Sequence, residues 1–198
     1  SNSELLASAQ MIWRWTGGVE DSGSPHVIDL TDKELYGAEI GPNTLTNSPN
    51  LVDGAEYSLL YAAFDPAGNQ SDTTIVDNIE YDITPPTIAF TYPESNIFTT
   101  ETKVNFDVSE NMYDFNIDWK GDGTVGEPHS VNFNQQKVLP AGSYNSDDLI
   151  VPELKDGFSY TISLKGIDRA GNVATPVELT DIRIDLTPPE FTAFTPQS

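Results

Sequence analysis

Apolar and polar residues alternate at short range along most of the chain, with the period of two expected of strands that bury one face. Lys103-Val-Asn-Phe-Asp-Val108 is one such segment, and Phe115, Ile117 and Trp119 alternate with Asn116 and Asp118. Residues 87–92, 160–167 and 177–184 read as further strands, and weaker patterns at 129–133 and 148–151 as two more. Val, Ile, Thr, Tyr and Phe cluster in these segments, with Gly, Pro, Asn and Asp between them. Amphipathic helical runs are scarce, so the pattern predicts an all-β chain.

The pattern occurs twice. Leu51-Val-Asp-Gly-Ala-Glu-Tyr57 returns as Leu154-Lys-Asp-Gly-Phe-Ser-Tyr160, and Asp65-Pro-Ala-Gly-Asn69 as Asp168-Arg-Ala-Gly-Asn172. Tyr81-Asp-Ile-Thr-Pro-Pro86 returns as Ile184-Asp-Leu-Thr-Pro-Pro189, and all three pairs are displaced by 103 residues. A period of that length is too long for a solenoid and suits one β-sandwich domain. Residues 84–186 read as a complete copy and 1–83 as a copy without counterparts of the strands at 87–92 and 103–108. Residues 187–198 read as a linker and the first strand of a following copy, and Ser1-Asn2-Ser3 as a cloning remnant. In the first copy Met11, Trp13 and Trp15 align with Phe115, Ile117 and Trp119 at a displacement of 104. A sandwich short of two strands exposes a sheet edge. The expectation is either strand exchange with another chain or a smaller sandwich.

Composition narrows the chemistry. Thirty-one acidic residues against nine basic ones give a net charge of −22, which repels nucleic-acid phosphates and excludes that partner class. The carboxylates either solvate the surface or attract hard divalent cations such as Ca²⁺. With no cysteine there is neither a disulfide nor a thiolate metal site. No stretch is apolar and long enough to cross a membrane, so membrane insertion is not expected. His26 and His129 occupy equivalent Pro-His positions and have no second His or Cys nearby, which argues for packing over transition-metal binding. Asp118-Trp-Lys-Gly-Asp122-Gly-Thr lacks the alternating oxygen ligands and later Glu of a calcium-binding hand. No phosphate cradle or activated nucleophile is evident, and catalysis is not expected.

The repeated motifs have architectural readings. Leu-x-Asp-Gly-x-x-Tyr fits a tyrosine corner, in which Tyr57 and Tyr160 turn their hydroxyls back onto the preceding loop. Asp-x-Ala-Gly-Asn fits a hairpin turn, with Gly68 and Gly171 supplying positive φ; the other reading makes Asp65 and Asp168 metal ligands. Together with Ser-Glu and Pro-His, this ordered set resembles bacterial immunoglobulin-like repeats, which are similar in architecture to fibronectin type III domains. The resemblance covers nearly the whole chain.

That resemblance implies tandem immunoglobulin-like β-sandwiches, the first lacking its N-terminal strands, in a bacterial cell-surface or secreted protein. Many such proteins are adhesins whose repeats act as extracellular spacers between neighbouring repeats, sometimes with calcium at the junctions. In that architecture Asp53 and Asp82 approach a junction from one side and Glu110 and Asp168 from the other. Four converging carboxylates repel one another unless a cation, Ca²⁺, lies between them. The Thr-Pro-Pro linkers restrict bending. Two alternatives stay open: a glycan- or protein-binding module, and an accessory domain of a secreted polysaccharide-degrading enzyme. The binding module predicts an exposed aromatic cluster drawn from Trp15, Tyr36 and Tyr144, whereas alternation puts Trp13, Trp15 and Trp119 on a buried face.

Overall fold

The computed structural model describes residues 6–35, 45–121, 129–133, 138–145 and 153–191. The chain divides into two compact units, Ser1–Thr84 and Pro85–Ser198. The expected strand at 148–151 lies outside the described residues, as do Tyr36 and most of the strand expected within 187–198.

In the first unit, β1 (Ser8–Gly18), β2 (His26–Asp29), β3 (Ala55–Phe64) and β4 (Thr74–Tyr81) form one antiparallel sheet in the order β2-β1-β3-β4. A single helical turn, α1 (Asp32–Leu35), follows β2. The Glu34 carboxylate accepts from both the Thr31 amide and the Thr31 hydroxyl, which supplies the carboxylate half of a capping box. Its other oxygen accepts from the Thr46 amide, 2.6 Å away. These bonds, the Thr31 hydroxyl foremost and then the Thr46 amide, pull the Glu34 pKa down to about 2. The turn thereby sets Leu30 and Leu35 against Ala9 and Ala63, with Met11, Ile28 and Tyr61 packed around them.

The second unit is a two-layer sandwich. One sheet contains β5 (Ile88–Tyr92), β7 (Asn105–Val108) and β10 (Gly142–Asn145), in the order β10-β7-β5. The other contains β6 (Phe98–Thr99), β8 (Met112–Gly121), β9 (His129–Phe133), β11 (Ser159–Asp168) and β12 (Val177–Ile184), in the order β6-β12-β11-β8-β9. Every pair is antiparallel except β6–β12. Alternation is the cause: Phe106 and Val108 from one sheet, and Phe115, Ile117, Trp119, Tyr160, Ile162 and Leu164 from the other, close into one core. The Phe106 and Phe115 rings stack 5.1 Å apart between the layers.

Strand register corrects the alignment of the tryptophans. Trp13 stands opposite Leu59 and His26, while Trp119 stands opposite Ile162 and His129. Leu59 and Ile162 are repeat mates, as are His26 and His129, so the counterpart of Trp119 is Trp13 and not Trp15. The connection from this strand to the next is three residues longer in the first unit, which hid the match. Trp13 and Trp119 share a further trait, an indole N–H buried without a hydrogen bond. Trp15 lies one pleat further on, is 37% exposed, and donates its indole N–H to the Val19 carbonyl.

Trp119 is completely buried among both sheets. Trp119→Ala is expected to destabilise the second unit by about 3–5 kcal/mol, the usual cost of emptying a large aromatic site. Urea unfolding followed by far-ultraviolet circular dichroism checks this; a loss no larger than that of Trp15→Ala contradicts the register.

Candidate functional site

Each unit ends in the same clamp, and its parts come from segments some 30 residues apart in sequence. In the first unit Asp53 Oδ1 accepts from the Ile83 amide at 2.8 Å and Asp53 Oδ2 from the Thr84 hydroxyl. In the second, Asp156 Oδ1 accepts from the Leu186 amide and Asp156 Oδ2 from the Thr187 hydroxyl, both at 2.6 Å. The following glycine completes each clamp. Gly54 donates its amide to the Tyr81 carbonyl and Gly157 to the Ile184 carbonyl, both at 2.8 Å. Their φ values of 75° and 78° lie in the left-handed region, which explains Asp-Gly at both places. Thr84 and Thr187 also donate their amides back to Asp82 and Asp185, which closes an Asx turn immediately before the two prolines.

These bonds favour the ionised carboxylate. Asp53 is held below the usual aspartate value by the Thr84 hydroxyl first and the Ile83 amide second. Asp156 is held down in the same way by Thr187 and then Leu186. A depressed folded-state pKa contributes stability that is present above the ordinary aspartate value and disappears as the pH falls through the lowered one.

Beside each clamp is the tyrosine corner. The Val52 amide donates to the Tyr57 hydroxyl at 2.9 Å, and the Lys155 amide to the Tyr160 hydroxyl at 3.0 Å. Tyr57 in turn donates to Asp21 Oδ2 at 2.6 Å, and His26 Nε2 meets the same oxygen. Gly23 donates its amide to Asp21 Oδ1. Asp21 is buried, yet its pKa is lowered, by Tyr57 foremost and His26 next. Burial and Asp21 push the Tyr57 phenol up. This trio ties the 21–25 turn to the corner.

The four carboxylates singled out in the sequence have different surroundings. Asp53 gives both oxygens to its clamp. Asp82 lies in the same exit segment and accepts from the Thr84 amide. Glu110 and Asp168, both in the second unit, offer carboxylate oxygens within 4.8 Å of each other. Asp168 is 3% exposed and already accepts from the Gly171 and Asn172 amides and the Asn172 side chain. Asp65 binds the Asn69 amide and side chain likewise, so the Asp-x-Ala-Gly-Asn turn is closed by its own aspartate in both units. Hard oxygen donors of this kind suit Ca²⁺ better than a transition metal. Of the aromatic residues that a binding pole would use, Tyr144 stacks on Phe106 and bonds the Pro140 carbonyl.

No family model matches the sequence, and no curated protein matches it. Among solved structures the chain is similar to the FN1–FN3 domains of chicken CNTN1, with 13% identity and a TM-score of 0.39 over 89% of this chain. The chain spans about half of that fragment, 54%. It is also similar to the fibronectin(III)-like modules of Clostridium thermocellum CbhA, with 16% identity and a TM-score of 0.37 over 98% of this chain and 87% of that one. No helix among the described residues is long and apolar enough to cross a membrane.

An NMR acid titration of the Ile83 and Leu186 amide shifts reads the clamps directly. Both shifts are expected to move with midpoints below the ordinary aspartate value of about 3.9. Asp53→Asn and Asp156→Asn each abolish the corresponding transition; midpoints at or above the ordinary value contradict the clamp.

Proposed function

We propose that the chain is a spacer segment, whose units hand the polypeptide on in a fixed direction. The observation that carries this reading is the duplicated aspartate clamp. An Asp-Gly turn holds the threonine of each Asp-x-Thr-Pro-Pro exit by its hydroxyl and holds the preceding amide as well. The two prolines then continue in a restricted, extended conformation. A clamp followed by a stiff dipeptide transmits direction, the property that a spacer needs and a free-standing binding domain does not.

Ca²⁺ belongs to this proposal. Glu110 and Asp168 lie at the pole of the second unit where the chain enters, because the Thr87 amide donates to the Ser109 hydroxyl beside Glu110. Asp82 is five residues upstream of Thr87, within reach of that pole along the backbone. Glu110, Asp168 and Asp82 are the ligands we assign, and Asp53 serves by fixing the segment that carries Asp82. The setting that belongs to this proposal is extracellular, in a secreted or surface protein, with which a cysteine-free composition is compatible. Either an adhesin or a secreted enzyme could use such a spacer to project another domain.

Spin labels on the two units, read by pulsed electron–electron resonance, test the role. The wild-type distance distribution is expected to be narrow, to narrow further in millimolar Ca²⁺ relative to EDTA, and to broaden in Asp53→Ala. A broad wild-type distribution that Asp53→Ala leaves unchanged overturns the spacer reading. Insensitivity to Ca²⁺ alone removes the cation from it.

A further inference from the structure

The outward face of the first unit's sheet carries an apolar row that the second unit lacks. Val27 is opposite Ile12, Ile12 opposite Leu60, and Leu60 opposite Ile75, so four apolar side chains cross all four strands on one face. Alternation puts this row on the side away from Trp13, Leu59 and Tyr57, whose counterparts build the core of the second unit. Val27 is 49% and Ile75 54% exposed, and Ile12 and Leu60 are half-buried between them. The same register in the second unit reads Ser130, Asp118, Ser163 and Glu178. There the row is polar throughout, with Ser130 and Lys165 both donating to Asp118. Four polar-to-apolar differences along a single row mark a surface that is covered in the working protein.

The charges flanking the row identify what covers it. Arg14 follows Ile12 by two residues on the same face, and Asp29 follows Val27 by two on the opposite flank, held there by Gln10. A two-fold axis laid along the row places apolar residues on their own copies and brings Arg14 of each chain over Gln10 of the other, one strand spacing from the Asp29 that Gln10 holds. Arg14 and Asp29 are thus complementary across the axis, while Asp77, which accepts from the Ser58 hydroxyl beside Arg14, faces no acidic residue of the row's flanks. We propose that this face is a docking surface for a second copy of the chain, pairing two first-unit sheets face to face. The proposal does not depend on the spacer reading, since it uses none of the clamp residues.

Sedimentation equilibrium in about 0.15 M salt, where long-range repulsion between the acidic chains is screened, tests it. Wild type is expected to dimerise reversibly at micromolar concentration. The double variant Leu60→Ser, Ile75→Glu, which installs the residues found at those places in the second unit, is expected to raise the dissociation constant at least about tenfold. Arg14→Glu weakens the dimer likewise, and Arg14→Glu combined with Asp29→Arg restores it. Unchanged far-ultraviolet circular dichroism establishes that each variant is folded, and a variant that unfolds is replaced by the single change Ile75→Thr. Wild type that stays monomeric at about 100 µM overturns the proposal, leaving the row for a different macromolecule. A dimer that none of the substitutions weakens overturns it equally.

Discussion

The architecture depends on a carboxylate that reaches from the turn before a core strand to the place where the chain leaves the unit. Asp53 and Asp156 each hold an amide and a hydroxyl on segments that sequence distance would leave independent. The exit residues themselves have little else to fix them, since the Ile83 and Leu186 side chains are more than half exposed. Two charge-assisted bonds to one carboxylate therefore replace the packing that orders the rest of each unit. The glycine amide bond and the tyrosine corner beside it keep the aspartate turn in place, so the clamp and the core are mechanically continuous.

The two units use different means around a common frame. The second buries Phe106, Phe115, Trp119 and Tyr160 between two layers and keeps its outward face polar. The first has one described sheet, uses the Glu34-capped turn to close one end of its inner face, and carries an apolar row outward. Asp21 and His26 give the first tyrosine corner a charged partner on a turn whose counterpart in the second unit lies outside the described residues. The clamp and the tyrosine corner recur in both units, while the outward faces differ.

Much of the fold was legible because alternation and duplication are local signals. The strands around Phe106, Phe115–Trp119 and Tyr160–Ile162 follow directly from period two, and the shared displacement of 103 residues exposed both tyrosine corners and both Asp-Gly turns. The tryptophan register was not legible. A three-residue difference in one connection shifted the alignment, and only the strand partners Leu59 and Ile162 reveal that Trp13 matches Trp119. Asp53 shows a second kind of limit. Its place in the architecture pointed to a junction, and sequence does not say that the Ile83 amide and the Thr84 hydroxyl lie within reach of its carboxylate. The usable signal was that Asp-Gly and Asp-x-Thr-Pro-Pro recur together. The outward row has no sequence signature, because Val27, Ile12, Leu60 and Ile75 become neighbours only through the strand register.

Nitrogen-15 relaxation of the exit amides tests the central claim most directly, because it reads the order of the clamped segments in the unaltered protein. Thr84 and Thr187 are predicted to show order parameters of about 0.85, like the strands they leave. Values below about 0.6 at both positions, typical of a loose linker, would contradict the account.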